Sequence, residues 1–320
     1  MNMIKTRHPG KTTLAIGDGA NDVNMITAAH IGIGISGLEG QQAAKAADYS
    51  IGKFKYLANL IFVHGRESYR RNSWSTTYIF YKNILIASPI FFFGIISKFS
   101  GTLIYHMLMY NGFNTFFTAL PVIWFATNDF EHSKQTLLTK PELYKYGPRQ
   151  LHLNKRIYFR EIIYGFIQAI LILYFSFFSM TNYTKNFKGF YGSLVDAGDF
   201  VFTCAVFVAN VKILVASNQI GVGILLNVIL SILAFVLAAY MISETGMFIE
   251  TEFYLNFRKL ATFPAVYLAL FLFLISFALI DRALEKIVKV FKKRRSTKID
   301  NFKLQADLMQ SKRPDLVRDK

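Results

Sequence analysis

The hydrophobic pattern changes character near residue 75. Before it, apolar runs are short and broken by glycine and polar residues. "TTLAI" ending at Gly17, "IGIGIS" closed by Gly37 and "DYSIG" each read as a short strand. "DVNMITAAH", with Val23, Ile26 and Ala29 recurring on one side, and the Ala-rich "GQQAAKAA" read as the helices between them. Strands alternating with helices predict a parallel sheet. Residues 1–58 are too few for a whole domain with its own core, so they read as part of an α/β domain. Residues 59–75, "NLIFVHGRESYRRNSWS", mix basic and apolar positions at helical spacing and read as a stalk. Beyond the stalk come six apolar segments, roughly 76–97, 107–127, 162–180, 200–217, 220–242 and 262–280. Each approaches the length of about 20 residues that a helix needs to cross a bilayer.

Composition supports the membrane reading. The chain is 53% hydrophobic and carries 32 Phe and 17 Tyr, too much apolar and aromatic surface for an ordinary soluble enzyme. The formal net charge of +16 admits a nucleic-acid partner in principle, but the position of the charge argues for none. The densest run, Lys286 to Lys298 ("KIVKVFKKRRSTK"), directly follows an apolar segment, as a cytoplasmic flank beside anionic headgroups does. The one cysteine, Cys204, excludes an intramolecular disulfide and a thiolate metal site. "MNMIKTRHPGKTT" lacks the apolar core of a signal peptide.

The loops then set an orientation. Segment 128–161 carries Lys134, Lys140, Lys145, Arg149, Lys155, Arg156 and Arg160. The loops on the other side are poorer, with Lys185 and Lys188 in one and Arg258 and Lys259 in another. With an even number of crossings, both termini are expected in the cytoplasm. "NYT" at 182–184, a glycosylation sequon, would face the exterior or lumen. Residues 283–320 are expected to form a basic cytoplasmic tail, disordered or loosely helical from 299.

One stretch does not belong to membrane chemistry. In "TLAIGDGANDVNMI", Asp18 and Asp22 lie in a glycine-bounded turn between a strand and a helix. That places them at the carboxyl edge of a parallel sheet, where α/β folds bind ligands. Two carboxylates and the Asn21 carboxamide suit a hard cation beside a phosphate. The plainer alternative is a turn that caps a helix, with Asp22 as N-cap.

The longer string resembles the P-type ATPases, and within them the phospholipid-transporting flippases (type IV). "TLAIGDGANDVNMI", "GIGISGLEGQQAAKAADYSI", "FKYLANLIFVHGRESYRR", "FYKNI" at 80–84, "FNTFFTALPV" at 113–122 and "PELYKYG" at 141–147 carry the likeness in order, from about residue 10 to 285. The resemblance implies an α-helical polytopic membrane protein with six transmembrane helices, preceded by a partial haloacid-dehalogenase-like phosphorylation domain. The domains expected are 1–58, the stalk 59–75, the membrane domain 76–282 and the tail 283–320. It implies Mg²⁺ held by Asp18 and Asp22, Asn21 against the phosphoryl group, ATP as the energy source, and a two-span glycosylated accessory subunit as partner. The family's phosphorylated aspartate lies in an Asp-Lys-Thr-Gly-Thr string that this sequence lacks. The chain therefore reads as the C-terminal portion of a flippase moving aminophospholipid-type lipids to the cytoplasmic leaflet, with Met1 inside a domain. The alternatives are another P-type pump, for a cation or polyamine, and an inactive fragment.

The spans bear on that choice. The six apolar segments contain no interior Asp or Glu, the oxygens that hard-cation pumps need; Glu161, Asp199 and Asp281 stand at their edges. What they do contain is Lys82 and Asn83 in the first, and Asn114 and Thr118 one helical turn apart in the second. Pro121 cannot donate to the carbonyl of Phe117. A polar stripe with a loosened backbone suits a passing headgroup, and the family's transport-linked lysine falls on Lys82. Lys82, about 9 Å into its span, has the alternative of snorkelling to the surface. Lys212 is expected to snorkel, and Asn210, Asn227 and Gln168 to bond between helices.

Overall fold

The computed structural model describes residues 1–37, 41–181, 192–245 and 255–311. They fall into two compact units. One is Met1–Tyr69 with His132–Lys145; the other is drawn from Arg70–Glu131 and Tyr146–Lys320.

The first unit opens with α1 (Asn2–Arg7), then β1 (Leu14–Gly17), α2 (Val23–Ala28), β2 (Ile31–Ile35), α3 (Gln42–Ala46) and β3 (Tyr49–Ile51). The three strands are parallel in the order β1-β2-β3, with Ile16 opposite Ile33 and Ile35 opposite Ile51. This is the expected strand–helix alternation, trimmed by a residue or two at each end. Ala15, Ile26, Ile33 and Ala43 form its small core. The alternating glycines of "IGIGI" have a packing reason. A Cβ at Gly34 would lie 2.5 Å from the Cα of Ala44, so only glycine lets α3 settle onto β2.

The stalk begins as a π-helix, Asn59–Gly65, and continues as α4 (Arg66–Ile96). The second unit holds α5 (Met107–Gly112) and α6 (Ala119–Asn128). The chain then contributes α7 (Lys134–Thr139) to the first unit, N-capped by the Ser133 hydroxyl. There α7 packs on the π-helical stalk: Leu137 and Val63 are both buried, and the Phe62 ring stands edge-on to Tyr144 at 5.7 Å. Part of the basic inter-span connection is thus a clasp on the stalk, which loop composition did not suggest.

The rest of the second unit is α8 (Lys155–Thr181), α9 (Leu194–Ala216), α10 (Val222–Thr245), α11 (Asn256–Leu260) and α12 (Pro264–Ser311). Helix α9 is its axis. Phe200, Val201, Cys204, Val206, Ala209 and Ile213 are fully enclosed, and α8, α10 and α12 pack around them. Ser193 and Asp196 start α9 with a reciprocal capping box. Outward positions of the surrounding helices are large and apolar, for example Leu226, Leu233 and Leu237 on α10. Such a surface is stable against lipid and not against water.

Among the described residues, five helices are long and apolar enough to cross a membrane: Phe54–Ile96, Lys155–Met180, Leu194–Ala216, Val222–Glu244 and Pro264–Val288. The expected segment 107–127 is not one helix. It is α5, a π-turn at Phe113–Phe117, a break at Thr118 (φ −140°) and α6. Three further differences follow from helices that outrun their apolar stretches. Glu161, Asp199 and Asp281 lie inside α8, α9 and α12 and not merely at their edges. Asp196 joins them on α9. Helix α12 runs on without interruption from the apolar segment through the basic stretch to Ser311. The sequon 182–184, Lys185 and Lys188, and the end of the tail lie outside the described residues.

Candidate functional site

At the end of β1 the chain turns through Asp18 and Gly19 into one turn of 3-10 helix, Ala20–Asp22, and then α2. Asp22 occupies the N-cap position of α2, yet its side chain caps nothing there. Instead Oδ2 accepts the backbone N–H of Asp18 at 3.1 Å. Gly17 makes this possible: a Cβ on it would stand 2.3 Å from the Cβ of Asp22. The turn therefore folds one carboxylate back toward the strand end, while Asp18 and Asn21 are exposed beside it. All three offer hard oxygens. Mg²⁺ is commonly held by one or two protein carboxylates with phosphate and water completing six positions, so this donor set fits it. Among the described residues no three His, Cys, Asp or Glu side chains gather into a fuller metal site.

The membrane candidates come together in pairs across α4 and the broken segment. Lys82 is 4% exposed, and its Nζ donates to Thr118 Oγ1 at 2.8 Å. Its other neighbour is the face of Phe113, 5.9 Å from the ring centre. It does not snorkel. Asn83 Oδ1 accepts from Asn114 Nδ2 at 2.9 Å. Asn114 and Thr118 do not share one face, because the π-turn and the break rotate them apart: Thr118 is fully buried and Asn114 exposed. Thr118 Oγ1 in turn donates to the carbonyl of Phe113 at 2.7 Å. The Phe117 carbonyl is taken by Asn210 Nδ2 at 2.9 Å, an interhelical bond that fills the place Pro121 leaves empty.

Other expectations are corrected. Lys212 is buried, not snorkelling: Nζ lies 3.3 Å from both Glu161 and Asp281, and 3.8 Å from the centre of the Tyr81 ring. Asn227 bonds back to Gly223 within its own helix. Gln168 does bridge helices, accepting from the Tyr81 hydroxyl while donating to Tyr164 at 2.8 Å. A second hub centres on Asp129, just past α6. It accepts from Arg70 at 2.8 Å, from Asn218 Nδ2 at 3.1 Å, and from the Asn218 and Gln219 amides at 2.9 and 3.2 Å. Burial pushes this carboxyl up, but the bonds from Asn218 and Gln219 and the Arg70 guanidinium outweigh it, leaving Asp129 below the usual carboxylate range. Composition gave no hint of these pairings, whose partners lie far apart in sequence.

Several long apolar helices in one unit and a small parallel sheet in the other mark a multi-pass membrane protein with an α/β part. The comparisons narrow that class. The family model described as the C-terminal part of phospholipid-translocating P-type ATPases matches residues 44–294. The chain belongs to that family and corresponds to its C-terminal part. Probable phospholipid-transporting ATPase 12 of Arabidopsis thaliana is 38% identical over 210 residues, 66% of this chain and 18% of the relative. Probable phospholipid-transporting ATPase IM of Homo sapiens is 44% identical over 169 residues, 53% of this chain and 14% of the relative. Phospholipid-transporting ATPase dnf1 of Schizosaccharomyces pombe is 40% identical over 235 residues, 72% of this chain and 15% of the relative. The chain thus spans less than a fifth of these relatives. The family match begins after the carboxylate turn.

Proposed function

We propose that this chain supplies the C-terminal portion of an ATP-driven pump that moves a phospholipid, of aminophospholipid type, from the outer to the cytoplasmic leaflet. The observation that carries the membrane half of this reading is Lys82. Its ammonium is enclosed by the helix bundle, yet among the described residues its polar neighbours are one hydroxyl and an aromatic ring. A buried charge without an ionic partner is costly and is kept where it acts on something. Beside it, Asn83 and Asn114 present amides that a headgroup can bond while passing. Among the described residues, the carboxylates inside the long helices, Asp199 apart, are not free to gather around a hard cation. Glu161 and Asp281 hold Lys212, and Asp196 holds Lys259. A cation or polyamine pump is therefore the weaker reading.

In the first unit, Asp18 and Asp22 would hold Mg²⁺, and Asn21 would bond the phosphoryl oxygens. The metal, when bound, offsets negative charge on the transferring phosphate of ATP. The chain's own part is to fix the turn: Gly17 admits Asp22, and the Asp18 amide orients its carboxylate. In the second unit the five long apolar helices and the basic flanks support a reading of six crossings, with α5, the π-turn and α6 together making the sixth and both termini cytoplasmic. A two-span glycosylated accessory subunit completes the proposed assembly. Purified alone, this chain forms no phosphoenzyme, since it has no Asp-Lys-Thr-Gly-Thr string.

The test separates the two halves in the intact pump. Asp18→Asn blocks phosphoenzyme formation from labelled ATP whatever lipid is added. Lys82→Ala leaves phosphorylation intact, but lipid-stimulated dephosphorylation needs more lipid and flipping slows. Unchanged apparent lipid affinity and flipping rate in Lys82→Ala would remove Lys82 from the pathway.

A further inference from the structure

The polar groups described so far in the bundle lie along α4 or at the end of α9 near Lys212. A different set meets at the other end, where α9 begins and α10 finishes. There a small cavity of about 30 Å³ is lined by Asp199 and Thr203 of α9, Ser243 of α10 and His106 at the start of α5, with Phe202 and Phe235 among its walls. We infer that this cavity binds a primary ammonium group, carried either by a lipid headgroup or by a free small amine.

Charge is the first argument. Asp196, one turn earlier on α9, is neutralised by Lys259 at 2.6 Å. Asp199 has no cation among the described residues; its Oδ2 accepts only the neutral amide of Asn256, at 2.6 Å. Among the described residues the cavity therefore presents a carboxylate without an ionic partner between aromatic walls, and a cation would meet it both by ion pairing and by ring contact.

Donor count is the second argument. Thr203 Oγ1 donates to the Asp199 carbonyl at 2.7 Å, and Ser243 Oγ accepts the Phe257 amide at 3.2 Å, so each hydroxyl oxygen retains accepting capacity. With the Asp199 carboxylate that makes three oxygen-bearing groups for the three N–H donors of an ammonium. A hard metal cation wants about six or more oxygens and is poorly served. A trimethylated ammonium has no N–H to offer these oxygens and is served less well.

The lipid-borne source rests on the flippase reading; the site itself does not. The test uses the whole chain in phosphatidylcholine nanodiscs. In one arm ethanolamine is titrated and followed by calorimetry. In the other, part of the phosphatidylcholine is replaced by phosphatidylethanolamine and the melting temperature is read. Binding of ethanolamine, a raised melting temperature with phosphatidylethanolamine, or both, supports the site and tells the source. Asp199→Asn weakens ethanolamine binding about tenfold or more and removes the lipid effect, and choline binds more weakly than ethanolamine. Should Asp199→Asn fold poorly, Ser243→Ala gives the same result at smaller size. Silence in both arms, or binding that Asp199→Asn and Ser243→Ala leave unchanged, means the cavity holds only water and overturns the inference. Neither arm measures flipping, so a failed flippase reading would leave a positive result standing.

Discussion

Lys82 and Lys212 are both buried lysines in the same helical unit, and they are held in opposite ways. Lys212 on α9 sits between two carboxylates, Glu161 of α8 and Asp281 of α12, with Tyr81 and Tyr164 rings over it. Lys82 on α4 has a single hydroxyl and one ring. The first arrangement is closed: every charge has an opposite charge, three helices are tied, and nothing remains to offer a ligand. The second is open. Its ammonium keeps two N–H groups beyond the bond to Thr118, next to a helix whose backbone is already interrupted. Pairing decides which buried charge is spent on the fold and which is left open to a further contact.

The largest effect that separates them is on stability. Lys212→Ala strands the buried Asp281 carboxylate, leaves Glu161 with Arg160 alone, and lowers stability by about 3 kcal/mol. Thermal melting in detergent reads this directly. Adding Asp281→Asn to that variant recovers much of the loss, because the uncompensated charge goes with its partner. A variant Lys212→Ala that melts like wild type would mean that the network does not hold the bundle.

Asp129 sharpens the closed case through pH. Asp129→Asn leaves the Arg70 guanidinium buried against a neutral group and costs about 3 kcal/mol at pH 7. The Asp129 pKa is depressed in the folded state, so its contribution is present above the unfolded carboxylate value of about 4 and is lost as pH falls through the folded value. The melting difference between wild type and Asp129→Asn is therefore full at neutral pH and closes below about pH 4. A difference that persists undiminished well below about pH 4 would show that geometry, not charge, is what Asp129 supplies.

The open case predicts little or no loss. Lys82→Met removes an unpaired charge and is expected within about 1 kcal/mol of wild type, or above it, since desolvation is relieved. If it destabilises as much as Lys212→Ala, the contrast between the two lysines collapses. The smallest effect is at the rim: Asn114→Ala breaks one half-exposed amide bond to Asn83 and costs roughly 0.5–1 kcal/mol, while flipping by the intact pump changes more than that cost implies.

Much of this was legible in the linear pattern. The strand–helix alternation of residues 14–51, the apolar spans and the Asp18–Asp22 turn depend on short-range rules: periodicity, glycine placement and segment length. So does the absence of a thiolate site. The pairing of Lys82 with Thr118 was anticipated only as a stripe on a regular helix, and the route by which it forms was not. A π-turn depends on what packs beside it, here the Asn210 amide on the Phe117 carbonyl.

The sequence by itself determined the class of each segment and the kinds of chemistry available, because backbone propensity and hydrophobic period act over a few residues. Tertiary structure alone decided which charges are satisfied. Lys212 meets Asp281, 69 residues away, and Arg70 meets Asp129, 59 residues away, only once the helices have packed. It also decided that Asp22 turns back to Asp18 instead of capping α2, and that α7 clasps the π-helical stalk. The physical reason is the same in each case. The free energy of a buried polar group is set by the partners that packing brings within about 3 Å, and no local rule of sequence specifies those partners.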